Sequence, residues 1–402
     1  MIIEPKIRGF ICTAAHPQGC HQHVLQQQRY ITQQARFHGP KNALVVGAST
    51  GYGLASRLAL GFGANTQTIG VFFEKAAQGK RTATAGWYNT AAFERLAAEQ
   101  QLYAKSVNGD AFSDEVKQQV AELIRRDFGQ LECLVYSLAS PRRQHPDSGE
   151  LLSSVLKPIA KSYSNKTVDP MTGVVKDVSM EPATQDEVDN TVAVMGGDDW
   201  QRWVDFLQAE GLLAEGFTTV GYSYIGPELT YPIYTHGTIG QAKAHMQQTA
   251  DQLHEKLQTL DGQAWLSVNK ALVTQSSSAI PVVPLYMSIL FKVMQEQGTN
   301  EHCIEQMHRL FADHLYSGDT IKADDQRRIR LDDLEMLPEV QQQVAATWSK
   351  VNSENIHQLS RLDLYQRDFH RLFGFEFDEV DYSADVDPAV SIPSLEETQT
   401  VE

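Results

Sequence analysis

From Asn42 onward, short apolar runs alternate with amphipathic stretches of helical length. That is the pattern of a parallel sheet covered by helices on both faces. Strands are expected at 43–46, 68–73, 103–107, 131–137, 217–224 and 265–273, and helices at 54–62, 91–101, 113–127 and 238–260. Right-handed crossovers put the C-terminal ends of such strands on one edge, where ligands collect. The expected fold class is therefore α/β, a doubly wound parallel sheet of Rossmann type.

This order favours a single Rossmann-type domain over residues 1–382, with an N-terminal extension (1–41) and an insertion at 141–215. The insertion is too long for a plain loop. Asp169-Pro170-Met171-Thr172-Gly173 between β-prone flanks predicts a hairpin over 167–180, and Gly197-Asp198-Asp199-Trp200 predicts a helix start. Because the insertion leaves the C-terminal edge, it is expected to cover a substrate. The chain after Val273 reads as mostly helical through Phe373, and residues 383–402 as an acidic, mobile tail.

At the first strand-to-helix junction the sequence reads Gly47-Ala48-Ser49-Thr50-Gly51-Tyr52-Gly53. One glycine permits the tight turn, another lets the backbone approach a phosphate, and the third lets helix and strand pack closely. Exposed amides at such a junction hold a dinucleotide pyrophosphate. Glu74 ends the second strand, where a carboxylate accepts from the adenosine ribose hydroxyls and repels a 2′-phosphate, which favours NADH over NADPH. By position at strand ends, Asp110 reaches towards the adenine amino group, and Leu138 and Ala139 lie beneath the ribose.

Downstream runs Tyr231-Pro232-Ile233-Tyr234-Thr235-His236-Gly237-Thr238-Ile239-Gly240-Gln241-Ala242-Lys243. On one continuous helix, Tyr234 and Lys243 would fall on opposite faces at about 100° per residue. Tyr234 must therefore precede the helix, with Thr235, Gly237 and Thr238 as start or cap residues and Lys243 in an early turn. A phenol is a hydrogen-bond donor at neutral pH, and a nearby ammonium stabilises its anion. Together with the glycine turn, the pair points to a reductase.

A net charge of −16 argues against a nucleic-acid surface. The longest uncharged apolar stretch, 279–291, contains Pro281 and Pro284 and falls short of the roughly 20 residues of a membrane span. Met1 to Cys12 is broken by Glu4, Pro5, Lys6 and Arg8, unlike a signal peptide, so a cytoplasmic location is expected. Four cysteines are too few for a disulfide scaffold. The spacing of Cys12, His16, Cys20, His21 and His23 matches no familiar zinc pattern. No metal is expected, and an N-terminal hairpin followed by a turn at Pro17-Gln18-Gly19 is the alternative for this stretch.

Beyond these local readings, the chain resembles the short-chain dehydrogenase/reductase superfamily and, more closely, the FabV-type trans-2-enoyl-ACP/CoA reductases. The likeness spans nearly all of it: Pro5 to Cys12, Gly47 to Gly53, Val135-Tyr136-Ser137-Leu138-Ala139-Ser140, Val192-Ala193-Val194-Met195-Gly196-Gly197, and Thr274-Gln275-Ser276-Ser277. The eight residues between Tyr234 and Lys243 are similar to the FabV group, against three in most of the superfamily and six in better-known enoyl reductases. The resemblance implies NADH-dependent reduction of an enoyl-ACP or enoyl-CoA in fatty acid biosynthesis. Tyr234 is then the proton donor, Lys243 a cofactor contact, and Tyr224 a substrate contact near the thioester. It also implies cofactor contacts at Gly47, Ala48, Ser49, Thr50, Gly51, Tyr52, Phe73, Glu74, Asp110, Ala111, Leu138, Ala139, Leu272, Val273 and Thr274. Ile280, Tyr286 and their neighbours between Ser276 and Met294 are read as an apolar wall for the acyl chain. Arg142, Arg143, Lys157, Lys161 and Lys166 are read as a cationic surface for acidic ACP. A carbonyl or alcohol oxidoreductase and a non-enzymatic NAD(H)-sensing protein are the alternatives. The partner is an ACP or CoA thioester, and a monomer is the working expectation.

Overall fold

Seven strands, all parallel, form the central sheet of the computed structural model, which describes residues 1–9 and 11–399. They are β1 (Asn42–Val46), β2 (Gln67–Phe72), β3 (Ala104–Asn108), β4 (Leu131–Tyr136), β5 (Leu213–Ser223), β6 (Gln263–Val268) and β7 (Arg328–Arg330). The spatial order is β3-β2-β1-β4-β5-β6-β7. The chain reverses its direction of growth between β1 and β4, which opens a crevice at their C-terminal ends.

Alternation along the strands divides the core. Ala43 and Val45 of β1 join helices α1 (Pro17–Gln33), α2 (Gly51–Ala64) and α3 (Ala85–Glu99) on one face. Leu44 and Val46 join α4 (Asp114–Asp127), α6 (Asp198–Ala209) and α7 (Thr238–Leu257) on the other. Between α4 and α6 lies α5 (Gln185–Met195). A third core, built on α8 (Val283–Gln297) with the helices Pro338–Lys350 and Leu362–Arg371, packs beyond the C-terminal edge of the sheet.

The insertion contains the expected hairpin, Tyr163–Val168 paired antiparallel with Val175–Met180, and the expected helix at α6. Its residues 155–158 seize the start of α7. Thr238 N donates to Lys157 O at 3.0 Å, and Thr238 Oγ1 donates to Val155 O at 2.5 Å.

Three expectations are corrected. Pro17-Gln18-Gly19 is no turn but the first turn of α1, with proline at its favoured position and His16 Nδ1 accepting from Gly19 N as the cap. The sixth strand stops at Val268: Asn269 N makes the last bond to the neighbouring strand, to Ser223 O at 2.9 Å, and the amides beyond it turn to side chains, Lys270 N to Gln306 Oε1 and Ala271 N to Glu335 Oε2. The segment read as a mobile tail is docked through residue 396. Trp87 Nε1 donates to Val390 O, Tyr88 OH to Pro388 O, and the Glu94 carboxylate accepts from both N and Oγ of Ser394. Ile392 is fully buried against Phe72 and Ala91. A few well-placed apolar side chains and satisfied backbone groups fix a segment whose composition alone reads as disordered. Residues 400–402 of that reading lie outside the described residues.

Candidate active site

The glycine turn sits at the sheet's switch point. Gly47 has φ +85°, and a Cβ there would stand 2.4 Å from Ser137 O and 3.2 Å from Leu138 N. A Cβ on Gly53 would stand 1.9 Å from Gly47 O. Backbone thus lies directly on backbone between β1, β4 and α2. Gly47 N and Ala48 N are spent on Val71 O, whereas Thr50 caps α2 without a side-chain hydrogen bond, leaving first-turn amides directed outwards. These residues fit a pyrophosphate. The loop after β6 closes the other side, with Thr274 Cγ2 3.7 Å from the position of a Gly51 Cβ and Ser277 Oγ tying back to Leu272 O at 2.6 Å. Val273 is buried between them in sequence. The Tyr52 side chain points away from this crevice, its hydroxyl donating to Lys270 O at 2.8 Å, so only its backbone can face a phosphate.

Glu74 lies beside the turn, where Ser49 Oγ donates to its Oε1 at 2.7 Å. Burial pushes the carboxyl above its usual range, while hydrogen bonds from Thr84 and Ser49 pull it down. Two residues that the sequence reading missed hold it there. Asn108, the last residue of β3, brackets the Glu74 backbone by accepting from its N and donating to its O. Gly86 leaves the space the carboxylate occupies, since a Cβ there would meet Glu74 Oε1 at 2.0 Å. Phe73, 77% exposed, presents an open ring next to Glu74. Asp110 Oδ1 accepts from Phe112 N, and the Ala111 carbonyl is held from behind by Trp203 Nε1 and Lys117 Nζ. Leu138 is half-buried and Ala139 exposed just past β4.

Tyr234 precedes α7, as its spacing from Lys243 requires, in a run of turns bounded by Gly237. Close approach governs this corner too: a Cβ on Gly240 would meet Thr235 O at 2.0 Å. The Tyr234 ring, 6% exposed, packs edge-on to Tyr224 with centroids 4.9 Å apart. Its hydroxyl has no hydrogen-bond partner among the described residues, and burial pushes the phenol well up, keeping it protonated. Lys243 reaches back to donate to Tyr222 O at 3.0 Å, and burial pulls its ammonium down to about 8. No hydrogen bond joins the two side chains among the described residues. They converge on the same end of β5, one through Tyr222 and the other through Tyr224.

Two further readings change. Tyr286 is fully buried and donates to Glu335 Oε1 at 2.6 Å, so it does not line an acyl channel with Ile280, which is half-buried. The cationic surface dissolves. Arg143 is 2% exposed and paired with Asp198 at 2.7 Å, Lys157 pairs with Glu187, and Lys166 donates to the carbonyls of Trp348 and Val351. Arg142 and Lys161 stay exposed.

A family described as the trans-2-enoyl-CoA reductase catalytic region matches residues 81–316, and the NAD(P)H binding domain of trans-2-enoyl-CoA reductase matches 2–79. The chain belongs to the trans-2-enoyl-CoA reductase family. It is 53% identical over 395 residues to the trans-2-enoyl-CoA reductase [NADH] of Ruminiclostridium cellulolyticum, covering 98% of this chain and 100% of the relative. It is 54% identical over 398 residues to an enoyl-[acyl-carrier-protein] reductase [NADH] of Coxiella burnetii, covering 98% of each. The Clostridium acetobutulicum trans-2-enoyl-CoA reductase, solved in complex with NADH, superposes with a TM-score of 0.95 at 41% identity, over 98% of this chain and all of the other. The Treponema denticola enzyme, solved with NAD, gives 0.93 at 47% identity over 96% and 98%.

A third family, described as an enoyl reductase FAD binding domain, matches residues 323–386. The residues of that segment do not fit a flavin. Its helices fill their own interior with Val340, Val344, Trp348, Tyr365 and Phe369. Its one glycine, Gly374, is pressed against α1, where a Cβ would meet Cys20 N at 2.5 Å, which leaves no glycine turn for a pyrophosphate.

Glu74 stands beside the glycine turn, where the sequence leads one to expect a carboxylate that selects NADH. Glu74→Gln is expected to narrow the preference for NADH over NADPH by about tenfold, read as the ratio of the two Kd values. An unchanged ratio would remove Glu74 from cofactor selection.

Proposed function

We infer that this protein reduces trans-2-enoyl-ACP or trans-2-enoyl-CoA to the saturated acyl thioester with NADH, as the last reductive step of type II fatty acid elongation. The observation that carries the reading is Tyr234, a buried, protonated phenol with an uncommitted hydroxyl, set against Tyr224 at the end of β5. Relatives at 53% and 54% identity over 98% of this chain carry NADH in their names, in support of the cofactor.

Bound NADH supplies the hydride, which goes to Cβ of the enoyl group. Tyr234 donates a hydrogen bond to the thioester oxygen as negative charge builds there, and Tyr224 touches the substrate beside it. A donor already aimed at that oxygen needs no reorganisation when the charge appears, and burial strengthens the interaction. Protonation at Cα completes the reduction. Lys243 holds the nicotinamide ribose hydroxyls with its ammonium. Ile280 and the start of α8 border the acyl chain, and the exposed Arg142 and Lys161 remain as contacts for an acidic carrier. Four free cysteines accord with a reducing, cytoplasmic location.

Tyr234→Phe removes one oriented donor worth ~3 to 4 kcal/mol and is expected to lower kcat with crotonyl-CoA by roughly two to three orders of magnitude. Near-normal turnover contradicts the assignment. Lys243 gives a pH signature. Its ammonium titrates at about 8 in the free protein, below the ordinary 10.5. If the charged form binds the ribose, NADH affinity is steady below that value and weakens as pH rises through it. Lys243→Arg stays charged and should flatten the profile between about pH 7 and 9.5. A wild-type Kd that is flat across this range removes the ribose role.

A further inference from the structure

Behind Tyr224 lies a buried carboxylate that none of the preceding assignments uses. Glu335 stands in the turn between β7 and the helix Pro338–Lys350, and its side chain is fully buried. Its Oε1 accepts from Tyr224 OH at 3.0 Å and from Tyr286 OH at 2.6 Å, and its Oε2 accepts from Ala271 N at 2.7 Å. Gln341 Nε2 fixes the far side by donating to Tyr286 OH at 3.1 Å and to Glu335 O at 2.7 Å.

A buried carboxylate is expensive unless its lone pairs are filled, and here donors from three separate parts of the fold fill them. Burial pushes the carboxyl up, opposed by the Lys270 ammonium and by the hydrogen bonds from Tyr286 and Ala271. The arrangement has little freedom. Tyr286 and Ala271 are themselves buried in the core, so Glu335 is held on that side by core groups, and the Tyr224 phenol is tied to it. The Tyr224 ring in turn forms the edge-to-face wall against which Tyr234 packs.

We propose that Glu335 is a positioning residue for enoyl reduction, holding the Tyr224 phenol so that Tyr224 and Tyr234 meet the thioester in one arrangement. Glu335 acts through Tyr224 and does not touch the substrate. Without the post, the Tyr224 ring samples other rotamers, and the two phenols meet the thioester in register only part of the time. The proposal rests on the substrate contact assigned to Tyr224 under the proposed function.

The test is a double-mutant cycle on the full chain with crotonyl-CoA and NADH. Glu335→Gln keeps the size of the side chain. It is expected to lower kcat by about tenfold, with a smaller change in KM and an unchanged NADH Kd. In a Tyr224→Phe background, which has no hydroxyl to tie, the same substitution should alter kcat by less than about twofold. Glu335→Asp, which withdraws the carboxylate by one methylene, should show a loss that Tyr224→Phe likewise erases, and it decides the matter alone if the Gln variant does not fold. Equal losses in both backgrounds, or losses that track melting temperature and NADH binding, overturn the proposal in favour of a purely structural carboxylate. A Tyr224→Phe protein with wild-type kcat and KM overturns the Tyr224 contact and the positioning role together. A wild-type protein without enoyl reduction would instead mark failure of the proposed activity.

Discussion

The architecture depends on backbone lying against backbone at one point, where Gly47 meets the Ser137 carbonyl and Gly53 meets the Gly47 carbonyl. No side chain fits at either contact. Their absence lets α2 start directly above the gap between β1 and β4, so its unpaired amides face the crevice that the strand order creates. Glu74, Asp110, residues 138–139 and residues 272–274 are then ends of neighbouring strands or the loops that follow them. A parallel sheet delivers them to the same edge without further specification. The same economy recurs at Gly237 and Gly240, which let the Tyr234 loop fold tightly onto the start of α7.

Burial then tunes what this geometry has collected. The Tyr234 phenol is pushed up and stays a donor; the Lys243 ammonium is pulled down towards neutrality; the Glu335 carboxyl is raised but stays surrounded by donors. Tyr234 and Lys243 are not hydrogen-bonded to each other. Each is anchored separately near the end of β5, which leaves both polar ends available to a cofactor and a substrate lying beside them.

Much of this was legible in the sequence, because strand alternation, the glycine turn and the Tyr234 to Lys243 spacing are local signals. The hairpin 163–180 and the start of α6 announced themselves through turn and cap chemistry. What escaped is instructive in physical terms. The first helix is rich in glutamine, and its apolar face is thin. The last strand, Arg328-Ile329-Arg330, buries only its central side chain and reads as charged. Arg142 and Arg143 look alike in sequence, but they alternate sides of a short strand, so one is solvated and the other sits over the Phe112 ring, paired with Asp198. Glu335 could not be found from local pattern at all, since it lies 111 residues from Tyr224 and only the third core brings them together.

The central claim is that the crevice and the tyrosine loop present a reduced nicotinamide to Cβ of an α,β-unsaturated thioester while Tyr234 holds its oxygen. The most direct measurement follows isotope into the product of crotonyl-CoA reduction. With NADH deuterated at C4 in ordinary water, the account predicts deuterium at Cβ of the butyryl product; with ordinary NADH in heavy water, it predicts deuterium at Cα. Label from the cofactor appearing at Cα, or no saturated product from either reaction, would contradict it.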